Sequence, residues 1–577
     1  MEPCSPVFTI DGRSRFPRPD FIREHWESLD GVWAFSFDQP VFDREITVPF
    51  CYQSEKSGIG ETADHEEVWY RRTFSVSQKD LTGRLLLHFG AVDYQARVWV
   101  NDQPAGEHTG GHVPFALDIT ELVQDGENCL TVQAIDRTDP AQPRGKQTWI
   151  GKRFGCWYTP TTGIWQSVWL EYAGENPILR TKLTPDLKNR TARCEVFLTK
   201  PQDCYVTVTL ENREKGLFLG EQKILCKNGR GQAGFAFPDW DLCRHEILWS
   251  PDNPNLIDVT LCAEGGGRVL TYFGMREFRA DKGRFLLNGD DLYLRMVLDQ
   301  GYWKESLLTP PDGDALRRDI ELTKAMGFNG ARKHQKIEDP RYYYWADRLG
   351  LLVWGELPSA YEFTDPAMQR SAGELMDFVA RDYNHPCIIA WVPVNESWGV
   401  RGVLDGSREQ AFCRALYWLL KSVDGTRLVS SNDGWEQVTE TDICAVHDYA
   451  LFETTEGKYE DMEKALSQTV QGRMLYADGN RWQGQPVMMT EYGGIAFADG
   501  NEESWGYYGK VRDQQEFMAR LEPVNRFLIR SGKFAGFCYT QLTDVMQETN
   551  GLLTEDRQLK LPPEELKKTF GLPVYGL

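Results

Sequence analysis

Two glutamates stand at the ends of apolar runs, where a free carboxylate is costly. Glu396 follows Ile388-Ile-Ala-Trp-Val-Pro-Val394 by two residues, and Glu491 directly follows Val487-Met-Met-Thr490. Most glutamates of so acidic a chain are expected to be solvated surface charge. A charge abutting a buried strand is retained when a site uses it. Two carboxyl groups that face each other can hydrolyse a glycosidic bond. In retaining chemistry they lie ~5–5.5 Å apart, one attacking the anomeric carbon while the other donates a proton. The donor must hold its proton near neutrality, so burial or a neighbouring carboxylate is expected to raise its pKa.

The elements that must position this pair begin near Asp281, where short apolar strands start to alternate with helical patterns. The strands are read at Leu292–Leu298, Phe328–Lys333, Leu351–Trp354, Ile388–Val394, Leu428–Ser431, Ile443–His447, Val487–Thr490 and Phe534–Thr540. Helical patterns at Asp314–Met326, Arg341–Leu349, Glu409–Leu420 and Gln514–Arg530 separate several of them. Eight such strands fit a TIM (β/α)8 barrel. A doubly wound sheet is the alternative, but no glycine-rich turn follows the first strand. Barrel sites form at the C-terminal strand ends. Those ends supply Asp299 (first strand), Arg332 and His334 (second), Asn395 and Glu396 (fourth), His447 and Tyr449 (sixth) and Glu491 (seventh). The fourth and seventh strands face each other across such a barrel.

The chain ahead of the barrel reads as β. Val68-Trp-Tyr-Arg-Arg-Thr-Phe74, Leu85–Phe89 and Ala96–Val100 are short runs rich in β-branched and aromatic residues, with turn dipeptides such as Asn101-Asp102 and Gly110-Gly111 between them. A second β block follows, with Cys204–Leu210 as its clearest alternating strand. The expected organisation is a jelly-roll β-sandwich over 1–175, an immunoglobulin-like β-sandwich over 176–275, and the barrel over 276–577.

Bulk properties exclude more than they assign. A net charge of −21 over 577 residues argues against nucleic acid as a partner, since a phosphate backbone would be repelled. No apolar run approaches the ~20 residues of a membrane span, so no membrane partner is expected. The 13 cysteines form no CxxC pair or metal-ligand spacing, and the N-terminal residues lack a secretory pattern. A cytoplasmic protein with a small imported glycoside or oligosaccharide substrate is expected, with a homo-oligomer left open. No histidine pair has metal-ligand spacing, so neither a metal nor a cofactor is expected.

Val394-Asn-Glu-Ser-Trp-Gly399 and Met489-Thr-Glu-Tyr-Gly493 resemble the two catalytic motifs of glycoside hydrolase family 2, which includes β-galactosidases, β-glucuronidases and β-mannosidases. The resemblance covers nearly the whole chain. Ser28–Phe35, Val68–Arg72 and Thr159–Trp165 are similar to the family's sugar-binding-like domain, and Gly330–His334 and Asp347–Trp354 to its second and third barrel strands. It implies Glu396 as acid/base, Glu491 as nucleophile, Asn395 as donor to the sugar 2-hydroxyl, and Tyr449 and Arg332 as partners of the nucleophile. A structural ion pair is a compatible role for Arg332. His334 and His447 would line the sugar pocket, or stand as satisfied structural histidines. Asp299 is a candidate for gripping peripheral hydroxyls, with capping of the loop Gln300-Gly301 as the alternative.

Two departures from the family pattern stand out. The Asn-x-Lys motif that grips a uronate in its β-glucuronidases is replaced by Glu548-Thr549-Asn550. The eighth strand runs Tyr539-Thr540-Gln541, placing Gln541 at the sugar where several relatives carry a stacking Trp. Trp303, Trp354 or Trp398 would have to supply that platform. The reading is a retaining exo-β-glycosidase of a neutral sugar, with β-galactoside as the lead. A β-glucuronidase is the alternative within enzymes, and a non-catalytic carbohydrate-binding protein the alternative outside them. Retention of both carboxylates favours the enzyme.

Overall fold

The computed structural model describes residues 9–450, 457–498 and 503–574. Two antiparallel sheets form the first sandwich. One has six strands, with Glu67–Val76 and Gly126–Ile135 paired at its centre, and the other four, with Arg84–Phe89 against Val168–Ala173. Alternation along these strands turns Trp33, Phe35, Tyr70, Leu87, Val98, Leu130 and Leu170 into a common core. The second sandwich packs a three-stranded sheet (Ile178–Asp186, Thr191–Leu198, Arg230–Ala236) on a five-stranded one around Val196, Val206, Val208, Phe235 and Leu261. Phe21–Ile22 adds the edge strand of that five-stranded sheet by pairing with Leu270 and Thr271. The N-terminal segment therefore belongs structurally to the second sandwich as well as the first.

The barrel strands are β1 (Leu294–Asp299), β2 (Gly330–Lys333), β3 (Leu352–Glu356), β4 (Ile388–Val392), β5 (Leu428–Val429), β6 (Cys444–His447), β7 (Val487–Gly493) and β8 (Gly536–Thr540). Their order in one parallel sheet is β5-β4-β3-β2-β1-β8-β7-β6. Every residue of β3, β4 and β8 is buried, as expected of strands covered on both faces. The longer barrel helices among the described residues are α1 (Ala315–Ala325), α2 (Pro340–Leu349), α3 (Asp365–Asp382), α4 (Ser407–Val423), α5 (Gln514–Arg530) and α6 (Pro563–Phe570). The sequence reading passed over α3, although its signal is present. The Thr364 hydroxyl caps Ala367 N, and Asp365-Pro366 occupy the first turn. Among the described residues no helix is long and apolar enough to cross a membrane.

Candidate active site

Arg332, at the end of β2, is fully buried and organises the barrel mouth. Its Nε donates to Glu356 Oε2 at 2.7 Å, its Nη1 to Glu491 Oε1 at 3.1 Å, and its Nη2 to Asn395 Oδ1 at 2.5 Å. Asp433 Oδ1 lies 3.2 Å from the same Nη1. Three carboxylates thus share one guanidinium, and the excess negative charge must be relieved. Burial, helped by the nearby Asp433, pushes the Glu356 carboxyl up to about 7, so that group holds a proton part of the time near neutrality. Glu491 is fixed from the other side by the Tyr449 hydroxyl, which donates to Oε2 at 2.8 Å.

Glu396 sits differently. Its backbone is left-handed at φ 51°, followed by Ser397 at φ 58°, a conformation costly for residues with a Cβ. Three hydrogen bonds hold this turn: Glu396 N to the Asp433 carbonyl, Ser397 N to Asn432 Oδ1, and Ser397 Oγ to Glu436 Oε2. The side chain reaches the pocket mouth, where Trp398 Nε1 donates to Oε2 at 3.2 Å. His447 lies between the two glutamates, its Nδ1 2.8 Å from Glu396 Oε1 and 3.4 Å from Glu491 Oε2. Its Nε2 is 2.9 Å from Asp433 Oδ1. Gly434 makes room for the ring, since a Cβ there would lie 2.7 Å from Nδ1.

These contacts reverse one expectation. Burial does push Glu396 upward, but the hydrogen bond and charge of His447 outweigh it and bring the carboxyl down to about 2. His447 rises to about 9: burial opposes its charge, and the Glu491, Asp433 and Glu396 carboxylates prevail. The proton expected on Glu396 therefore rests on His447 in the free protein, one hydrogen bond away.

The other expected residues divide. Asn395 keeps Nδ2 buried without a hydrogen-bond partner, a donor available to a ligand. His334 packs 3.0 Å from Glu356 and 3.3 Å from Arg332, and burial beside Lys146 and Arg332 drives its pKa well down, so it is neutral. Gln541 is fully buried: it accepts from Gln300 and donates to Asn550 at 2.8 Å, while Tyr158 of the first sandwich hydrogen-bonds Glu548. Asp299 is not available to a sugar. Its oxygens accept from Lys333 Nζ and from Gly301 N, so it caps the loop, as the alternative reading held. Trp354 is wholly buried, and Trp303 is covered by Lys336 and Arg557. Of the three tryptophans only Trp398 faces the mouth, edge-on to Trp157 and near Tyr361. By distance alone Glu396, His447 and Glu491 could chelate a cation, but Arg332 and protonated His447 already supply positive charge there.

Several site residues escaped the sequence reading. Glu356 ends β3 two residues beyond the expected strand, and Asp433 follows β5, so the strand-end rule applied more generously would have found both. Lys146, Trp157 and Tyr158 come from a first-sandwich loop and carried no sequence signal.

Two carboxylates face each other across the mouth of a (β/α)8 barrel that carries two β-sandwiches, and this arrangement is suited to glycoside chemistry. Comparison with known proteins agrees. Residues 278–572 match the model of the glycosyl hydrolases family 2 TIM barrel domain, and residues 28–170 that of the family's sugar binding domain. The chain belongs to glycosyl hydrolases family 2. It is 28% identical over 396 residues to a β-galactosidase of Thermoanaerobacter pseudethanolicus, covering 64% of this chain and 50% of that one. It is 26% identical over 418 residues to a putative β-glucuronidase of Formosa agariphila, covering 69% and 48%. The chain thus spans about half the length of the curated relatives it matches. A crystal structure of a GH2 β-galacturonidase from Eisenbergiella tayi has the same fold, with a TM-score of 0.77 at 19% identity over 96% of this chain and 97% of that one.

Proposed function

We propose that this chain is an exo-acting β-glycosidase that releases a terminal non-reducing sugar with retention of configuration. Glu491 is the nucleophile and Glu396 the general acid, then base. The observation that carries this reading is the spacing of the pair, whose nearest carboxylate oxygens lie within 4.8 Å of each other. That suits direct attack at ~5–5.5 Å and leaves too little room for the water of an inverting enzyme, which needs ~6.5–9.5 Å. Arg332 and Tyr449 hold Glu491 in place by two direct donors. Asn395 Nδ2 is the donor for the 2-hydroxyl. The acid's proton is stored on His447 and moves along the 2.8 Å hydrogen bond to Glu396 as the leaving oxygen takes it. In the second displacement Glu396 accepts a proton from water, and the pair returns to its first state.

The sugar is a neutral pyranoside, with β-galactoside the lead. Where a uronate clamp would stand, Glu548 lies fully buried between Tyr158 and Asn550, and burial raises its pKa. Three lysines of the barrel loops near the site are committed elsewhere, Lys333 to Asp299 and Glu338, Lys336 to Glu338 and two carbonyls, and Lys304 to Asp556 at the surface. Beside Glu548 a uronate would be repelled, so neutral glycosides should exceed the glucuronide at least about a hundredfold in kcat/KM. β-Glucuronidase is the second reading, favoured by the name of the Formosa agariphila relative. A panel of nitrophenyl β-glycosides tests the sugar. A 2-fluoro-glycosyl fluoride of the best one tests the mechanism by mass-labelling the peptide that contains Glu491. A label on Glu396 would reverse the roles, and faster turnover of the glucuronide would replace the neutral sugar.

A further inference from the structure

Lys146 stands on a loop of the first sandwich that is locked against the barrel. Arg144 N and Gly145 N both donate to the Ser359 carbonyl beyond β3, and the Tyr361 hydroxyl hydrogen-bonds the Gly145 carbonyl. Gly145 has φ +60°, and a Cβ there would lie 2.2 Å from the Gln335 carbonyl, so the approach requires glycine. The Lys146 carbonyl accepts from Tyr158 N, which ties its backbone to the residue that hydrogen-bonds Glu548. The Lys146 side chain is only 6% exposed, and its Nζ lies 5.8 Å from the ring centre of Trp157, itself edge-on to Trp398 beside Glu396. Among the described residues Nζ makes no ion pair within 4.0 Å. Its charge nevertheless bears on Cys156, Glu548, Tyr361 and Glu396, and the Glu548 and Glu396 carboxylates help hold the lysine protonated against burial.

A buried ammonium that meets the Cys156 thiol but no carboxylate within 4.0 Å is expensive unless a ligand completes it. We infer that Lys146 is a specificity-determining residue of the sugar pocket, its ammonium donating a hydrogen bond to a ring hydroxyl of the glycone while Glu548 accepts from the opposite wall. This rests on the glycosidase reading above and extends it by assigning part of the sugar contact to the first sandwich. A hydroxyl both accepts and donates, so a vicinal diol satisfies an ammonium and a carboxyl together. A carboxylate satisfies the first and is repelled by the second. The pocket therefore matches a polyol better than a uronate, even though it contains a cation.

The test is a cycle between one side chain and one hydroxyl. Lys146→Met should lower kcat/KM for the parent nitrophenyl β-glycoside by about 10- to 100-fold, the range of a charged hydrogen bond. Against the 3-, 4- and 6-deoxy analogues, the loss should shrink to less than about threefold for one of them and persist for the others. An equal loss on all three analogues would overturn the assignment, because a merely structural role lowers every substrate alike. A loss confined to an aryl β-glucuronide or β-galacturonide would also overturn it and make Lys146 a uronate clamp. If Lys146→Met does not fold, Lys146→Arg, which keeps the charge and changes its reach, goes through the same cycle. Wild-type protein inactive on every β-glycoside would instead count against the glycosidase reading itself.

Discussion

Glu396 and Glu491 both end apolar strands at the barrel mouth, yet their surroundings treat them oppositely. The closest partners of Glu491 stay in one protonation state near neutrality, a guanidinium at 3.1 Å and a phenol at 2.8 Å, with His447 farther off at 3.4 Å. The burial and neighbouring carboxylate that keep the phenol of Tyr449 protonated also keep it a donor. Glu396 is 17% exposed, rests on a strained left-handed turn, and has as its closest partner a histidine that titrates at about 9. The first environment suits a carboxylate that must stay charged. The second suits one that must gain and lose a proton in each cycle. What separates the roles is the set of partners more than the carboxylates themselves.

The largest effect should come from the constant side. Glu491→Ala should lower kcat by at least about 10⁴-fold on every substrate, because no other group is placed to attack. Steady-state rates within tenfold of wild type would end the contrast. Glu396→Ala should depend on the leaving group. Alkyl or sugar aglycones should lose about 10²–10⁴-fold, dinitrophenyl glycosides far less, and azide should restore turnover with a β-glycosyl azide as product. Equal losses for both classes, without azide product, would remove the acid/base role.

Arg332→Met probes the cluster that serves both sides. It leaves Glu356, Asp433 and Glu491 without their common cation and should destabilise the barrel by about 3–5 kcal/mol, read by denaturant unfolding. An unchanged midpoint would mean that the cluster relaxes without its cation. The smallest effect concerns pH. The proton shared by His447 and Glu396 is lost as pH rises through about 9, so kcat/KM should fall there. His447→Asn should move that limb by about one unit or more while leaving dinitrophenyl substrates nearly unaffected. An unmoved limb would place the proton elsewhere. Stability follows the same pair. The contribution of His447, whose folded pKa is raised from 6.5, is complete below 6.5 and lost on rising through about 9. That of Glu396, depressed from 4.5, is present above 4.5 and lost as pH falls to about 2. The ion pair is therefore at full strength between those limits.

Much of the site was legible because strand ends are. Arg332, Asn395, Glu396, His447, Tyr449 and Glu491 all converge, and each was reached by asking which polar residue closes an apolar run. The same rule left Asp299 open between a sugar contact and a loop cap, because it locates where a side chain leaves the strand and not which neighbour claims it. Here Lys333, one strand over, lies 2.8 Å away. It stopped short at β3, so Glu356 and its competition for Arg332 went unseen. The second sandwich's borrowed strand, Phe21–Ile22, was too short to show a periodicity.

The sequence alone determined the alternation of strands and helices, the three-part order of the chain and the two carboxylates, since these are written in local patterns of apolar and polar residues. Tertiary structure alone decided where the proton rests and which loop closes the pocket. Coulomb energy and hydrogen bonding depend on separations of a few ångströms between residues far apart in the chain, and no local pattern encodes them. Glu396 and His447 are 51 positions apart and meet at 2.8 Å. Lys146 lies on a different domain from the barrel it faces, and the docking of its loop on Ser359 and Tyr361 brings its charge toward Glu396 and Glu548.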